Sequence, residues 1–115
     1  MIALKRAYEP AAASDGRRVL VERLWPRGVT KARLRLDEWN KDVAPSPGLR
    51  RWFGHEPEKW PEFRRRYFAE LRPNEEAWRP LLAAARRGRV TFIYAARDED
   101  RNGAVALKAF LDRRL

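Results

Sequence analysis

Four side chains in this sequence have the chemistry to hold or transform a ligand: Arg23, Arg27, His55 and Asp98. Arg23 and Arg27 stand four residues apart in Arg23-Leu24-Trp25-Pro26-Arg27-Gly28. Across a Pro/Gly loop they could converge on a phosphate or carboxylate, helped by the N–H groups around Gly28. The alternative is that they pair with acids on neighbouring helices and hold the loop. Trp25 could offer a stacking face to a base or sugar, or simply cap the core. His55 is the only histidine and lies between Gly54 and Glu56. A neutral imidazole there could act as general acid or base, or accept a backbone hydrogen bond as a helix cap. Asp98 follows the most apolar stretch of the chain, where it could serve as a base or as the partner of a cleft arginine. Tyr94 lies inside that stretch, with its ring expected in the core and its hydroxyl towards the cleft. Asn102, just before the last helix, suits an N-cap better than a ligand contact.

These residues need elements to position them. Val19-Leu20-Val21 is a continuous apolar triplet, as in a strand buried on both faces, and Pro26 ends it. Val90 to Ala95 (VTFIYA) is β-branched and aromatic without polar alternation, and predicts the central strand. Ile2 to Arg6 predicts a first or edge strand, and Asp15-Gly16 a turn. Val29 to Arg35 reads as a basic loop. Asp37 is placed to cap a short helical turn over 38–43. Ser46-Pro47 predicts a helix start and Gly54 its end, over 49–53. A longer helix is expected from Pro57, or from Pro61, to about Leu71, with Trp60, Phe63, Tyr67 and Leu71 on one face. Another follows Asn74 and ends at Arg86-Arg87-Gly88, bent or shortened by Pro80. Ala104, Leu107, Phe110 and Leu111 give a final amphipathic helix.

Helices separate the second and third strands, and a helix follows the third. That order predicts an α/β fold: a small single domain over 1–115, with about three strands, at least partly parallel, covered by about five helices. In a parallel pair the Arg23–Gly28 and 96–102 segments would open on the same sheet edge, where α/β folds place ligands.

Composition narrows the function. Of 26 basic residues 21 are arginine, and the net charge is +10. Residues 1–36 hold nine basic and three acidic groups, so the excess is greatest around the Arg23 loop. Arginine suits bidentate recognition of anions, although a GC-rich genome would enrich Arg, Ala, Pro and Gly together. Arg64-Arg65-Arg66 and Arg86-Arg87-Arg89 suggest a nucleic-acid surface or, since acids flank them, a solvated face. The chain has no cysteine, which excludes a disulfide framework and a thiol nucleophile and suits a cytoplasmic protein. One histidine without cysteines cannot build a metal cage. No Gly-rich phosphate loop, nucleophile elbow or dinucleotide fingerprint occurs, so no cofactor is expected. The apolar stretch Met1–Leu4 is too short for a signal peptide, and no run approaches a membrane span.

Three segments carry a resemblance: VLVERLWPRG (19–28), WNKDVAPSPGLRRWFGHEPEKWPEFRRRYFAEL (39–71) and FIYAARDEDRNGAVALKAFL (92–111). Together they resemble the YeaO-like branch of the family called domain of unknown function 488. The resemblance implies a compact α/β domain and brings no activity with it. It marks Arg23, Trp25, Pro26, Arg27 and Gly28, then Trp52 to His55, then Tyr94, Asp98 and Asn102 as signature positions of the branch. Related sequences often have a histidine where this chain has Arg101, so a mechanism built on that histidine is not expected here. Some members are labelled transcriptional regulators, but this chain has no helix-turn-helix pattern.

The expected function is binding of an anionic ligand, a small phosphorylated molecule or a nucleic-acid backbone, in a cleft built by Arg23, Arg27, His55 and Asp98. Two alternatives stand beside it. One is a small hydrolase or transferase using His55 or Asp98 as acid or base. The other is a partner-binding module that presents Trp52 or Trp60.

Overall fold

The computed structural model describes residues 1–115. Four strands form one sheet: β1 (Ile2–Arg6), β2 (Arg17–Leu20), β3 (Glu38–Trp39) and β4 (Val90–Tyr94). Their order is β1-β4-β2-β3, and every pair is parallel. The helices are α1 (Lys31–Leu34), α2 (Pro47–Phe53), α3 (Trp60–Leu71), α4 (Glu75–Arg87) and α5 (Gly103–Asp112). The fold is therefore α/β, with one strand more than the sequence suggested.

The additional strand is β3, in a segment expected to be a helical turn. Asp37 does not cap a helix; its carboxylate accepts from the Arg18 N–H at 2.8 Å, and the Asp37 N–H donates to the Arg18 carbonyl at 2.9 Å. This two-way bond seats Glu38 and Trp39 beside Val19 and Leu20. A tertiary contact thus overrides a local capping signal. The supposed basic loop contains α1, capped by the Thr30 hydroxyl on the Arg33 N–H. α4 runs through the exposed Pro80 without stopping. A 3-10 turn at Pro57–Lys59 precedes α3, so Pro61 lies in its first turn, where a missing N–H costs little.

β4 lies in the middle of the sheet, as its β-branched and aromatic run predicts, and all five of its residues are buried. Side-chain alternation sends Val19, Val21, Phe92 and Tyr94 into the larger core, under α2–α5. Leu20 and Ile93 point to the other face and join Ala7, Val29 and Leu34 in a smaller core. No helix is long and apolar enough to cross a membrane.

The start of β2 is built around a buried ion cluster. Asp15 accepts from Lys5 Nζ at 2.9 Å, from the Arg18 guanidinium at 2.6 Å and from the Ala12 N–H at 2.9 Å. Arg18 also donates from two further nitrogens to the Leu34 carbonyl, at 3.0 and 2.7 Å. Burial alone would raise the Asp15 pKa, but the hydrogen bonds from Lys5, Ala12 and Arg18 outweigh it and hold the carboxylate below its ordinary range. Gly16 turns the chain into β2 at φ 66°, where any Cβ would collide with the Arg89 carbonyl.

Candidate functional site

Beyond the carboxyl ends of β2 and β4 the sheet opens into a cleft of about 210 Å³. Parallel strands aim their C-terminal ends at one edge, and the segments that leave them splay apart there. The apolar walls include Val21, Phe53, Phe63 and Ala104. The polar groups are Glu22, Arg23, Arg50, His55 and Asn102.

Glu22 sits at the floor. It follows the last β2 residues, where the ladder with β4 runs out: the Val21 N–H still donates to the Ile93 carbonyl, at 3.4 Å. The next donor, the Ala95 N–H, instead reaches Glu22 Oε1 at 2.6 Å. The Glu22 carbonyl in turn accepts from Trp39 Nε1 at 2.6 Å. Backbone and side chain are thus both held, while Oε2 has no protein partner. No buried side-chain polar atom is left unpaired, so Oε2 is open to the cleft. Burial raises the Glu22 pKa; the Ala95 hydrogen bond and the charges of Arg50 and His55 oppose that rise without cancelling it.

Arg23 forms a side wall. Its guanidinium donates to the Pro45 carbonyl at 3.0 Å and to the Ala44 carbonyl at 3.4 Å, which fixes the segment before α2. Ser46 caps α2, its hydroxyl accepting from the Leu49 N–H and donating to Glu70 of α3 at 2.6 Å. Leu49 and Phe53 point inward from α2, and Phe53 stacks on Phe63 with ring centroids 4.4 Å apart. With those positions inward, Arg50 is exposed along the rim of the cleft. Its side chain makes no hydrogen bond or ion pair within the protein.

His55 reaches the rim through unusual backbone geometry. Gly54 ends α2 in the left-handed region at φ 54°, and His55 follows at φ 58°. Two successive left-handed residues reverse the chain before Pro57. The position is ordinary for glycine and strained for histidine, by roughly 1–3 kcal/mol. The imidazole is exposed, 6.0 Å centroid to centroid from Phe53, and it has no hydrogen-bond partner in the protein.

The other expected site residues lie elsewhere. Trp25 turns to the far face of the sheet, where its indole N–H donates to the Val29 carbonyl and its ring meets Trp39 edge-on at 5.4 Å. Arg27 is exposed outside the cleft, and its carbonyl accepts from the Tyr8 hydroxyl at 3.1 Å. Gly28 supplies a left-handed turn at φ 78°. The Arg23–Gly28 stretch therefore splits at the sheet edge, with Arg23 on one side and Trp25 to Gly28 on the other. The exposed Leu24 links the two sides, and Pro26 beyond it is buried.

Asp98 closes its own loop. Its carboxylate accepts from the Asp100 and Arg101 N–H groups at 2.9 and 3.1 Å and pairs with the Arg101 side chain at 3.1 Å. These bonds, the Asp100 one foremost, lower its pKa. Arg101 is thus the partner of Asp98. Asn102 is buried and caps α5 through the Val105 N–H, while its amide donates to the Asp98 carbonyl. It lines the cleft with its polar atoms already engaged. Tyr94 is buried in the larger core and does not border the cleft. Of the four residues expected to converge, only Arg23 and His55 do so.

Sequence reasoning passed over Glu22 and Arg50. The signal for Glu22 was a lone acid immediately after an apolar strand, at its carboxyl end. Arg50 had only its neighbours to mark it, one residue after an inward Leu49 and four before Gly54. No group of three or more His, Cys, Asp or Glu residues could hold a metal ion.

The comparisons with known proteins agree along the whole chain. A family model described as "Inactive DUF488-N3 subclade" matches residues 1–115. The uncharacterized protein YeaO of Escherichia coli K12 is 43% identical over 110 residues, covering 96% of each chain. The uncharacterized protein Rv3073c of Mycobacterium tuberculosis H37Rv is 41% identical over 113 residues, covering 98% of this chain and 95% of that one. The uncharacterized protein Mb3100c of Mycobacterium bovis is similar to the same extent. No solved structure shows a significant match. With a family model matched from end to end and relatives above 40% identity over nearly their full length, the chain belongs to the YeaO-like branch of the domain of unknown function 488 family.

Proposed function

We propose that the protein binds a small anionic ligand, a phosphate- or carboxylate-bearing molecule, in the cleft beyond β2 and β4. The observation that carries this reading is that Arg50 and His55 both border the cleft and neither has a partner within the protein. An unpaired guanidinium beside apolar walls is prepared for a bidentate anion. Arg23 adds a fixed positive charge, and strain held at His55 is typical of positions kept for function rather than stability.

Two observations favour a small molecule over a nucleic-acid backbone. The cleft has room for a single compact group. The Arg64–Arg66 cluster is largely engaged: Arg65 and Arg66 pair with Glu62 at 2.6 and 2.7 Å, Arg66 also covers Trp52, and Arg64 lies over Phe68. A binding role also suits the word "inactive" in the family description better than an enzyme does. An acid–base enzyme would need Glu22 with His55, since Asp98 is outside the cleft. The absence of cysteine fits action in the cytoplasm.

Calorimetric titration with inorganic phosphate and small phosphate and carboxylate esters, at low and then rising salt, tests the reading. Binding should weaken gently with salt, and Arg50→Ala should reduce affinity about tenfold or more. If the wild type binds none of these at low salt, the proposal fails. A steep salt dependence with single-stranded nucleic acid would favour a phosphate backbone instead.

A further inference from the structure

The cleft is not uniformly positive. Its unengaged polar groups are sorted by depth: the Glu22 carboxylate lies at the floor, half-buried, while Arg50 and His55 are exposed at the rim. Arg23, also half-buried, is already committed to the Pro45 and Ala44 carbonyls. Val21, Phe53, Phe63 and Ala104 lie among them and offer no competing hydrogen bonds. Glu22 cannot swing away, because Oε1 terminates β4 on the Ala95 N–H and the Glu22 carbonyl is fixed by Trp39. Only Oε2 remains for a ligand. A simple anion pushed to the floor would meet this carboxylate and be repelled. A ligand that leads with a hydrogen-bond-donating cation and trails an acidic group would satisfy both ends.

We infer that the cleft takes a zwitterion: a small molecule whose ammonium donates to Glu22 Oε2 and whose phosphate or carboxylate is held by Arg50 and His55. This rests on the anion-binding reading and extends it to a ligand class, that of amino acids and aminoalkyl phosphates. The two halves have separate roles. Arg50 and His55 supply attraction for the acid, and Glu22 supplies selectivity for the amine. An ammonium against a partly desolvated carboxylate makes a charge-assisted hydrogen bond, stronger than its neutral counterpart. The same carboxylate left unpaired beside a plain anion opposes binding.

Matched probes separate the two halves. Titration compares 2-aminoethyl phosphate with ethyl phosphate, and 4-aminobutyrate with butyrate, each pair differing in the amine. The wild type should bind the better amine-bearing member about tenfold or more tightly than its partner. Glu22→Gln keeps an acceptor for the Ala95 N–H and so should fold normally by thermal unfolding. It should remove the preference while leaving the affinity for the plain anion unchanged or higher. Arg50→Ala should weaken both members of the pair. Equal binding of the two members by the wild type, tighter binding of the plain anion, or a preference that survives Glu22→Gln would each overturn the zwitterion while anion binding stands. Failure of every probe to bind the wild type would remove both.

Discussion

The two ends of β2 make opposite use of similar side chains. At the amino end, Lys5, Asp15 and Arg18 form a closed set in which every Asp15 oxygen and most of the Arg18 donors have partners. At the carboxyl end, Glu22, Arg50 and His55 share a cleft in which two groups have no protein partner and the third has one free oxygen. Both regions mix acid and base, and both lie against the same strand. The difference is that one balances its charges internally and the other leaves them for something else. A closed cluster contributes to holding the fold in one register, whereas an open one stores recognition capacity at some expense in stability.

The largest effect should come from the closed end. Asp15→Ala leaves Arg18 and Lys5 without their common partner and should destabilise by about 3–5 kcal/mol in urea denaturation. pH should separate the two ends by sign. Asp15 has a lowered pKa, so its contribution is complete above the ordinary aspartate value and is lost as pH falls through its own lower value. Glu22 has a raised pKa, so it destabilises increasingly as pH rises from the ordinary glutamate value through its own higher one. Asp15→Asn should flatten the acid limb of the stability profile, and Glu22→Gln should remove the loss at its upper end. Profiles that move in the same direction would break the contrast.

A smaller effect is expected at the cleft rim. His55→Gly relieves a left-handed histidine and should raise stability by about 1 kcal/mol. The same change should weaken anion binding, on the order of tenfold. Loss of both stability and binding would place His55 among the structural residues. The smallest effect belongs to Arg27→Ala. The side chain is exposed and outside the cleft, so stability should change by less than about 0.5 kcal/mol and binding not at all. A clear loss of binding would return Arg27 to the site.

Much of the architecture was legible in the sequence because it depends on local patterning. The run 90–94 reads as a strand buried on both faces, and the apolar stripe Trp60-Phe63-Tyr67-Leu71 as a helix face, and the structure forms both. Ser46-Pro47 and Gly54 bounded α2 by cap chemistry that needs no partner. β3 was not legible, because two residues acquire strand geometry only when Asp37 and Arg18 bond across the chain.

The site was legible only in part, for a related reason. Sequence spacing placed functional residue types near strand ends, and those ends do lie on one edge of a parallel sheet. It could not indicate on which side of that edge each side chain would fall. Trp25 turns to the far face, Arg27 stays exposed outside the cleft, and the Asp98 loop folds back on Arg101. Composition and periodicity by themselves determined a basic α/β chain whose strand ends carry arginine and acid, with one histidine after a helix end. Tertiary structure alone decided which charges neutralise one another and which stay free, because that depends on distances between segments far apart in the chain. Glu22, met as one acid after a strand, became the floor of the cleft only when the end of β4 was laid beside it.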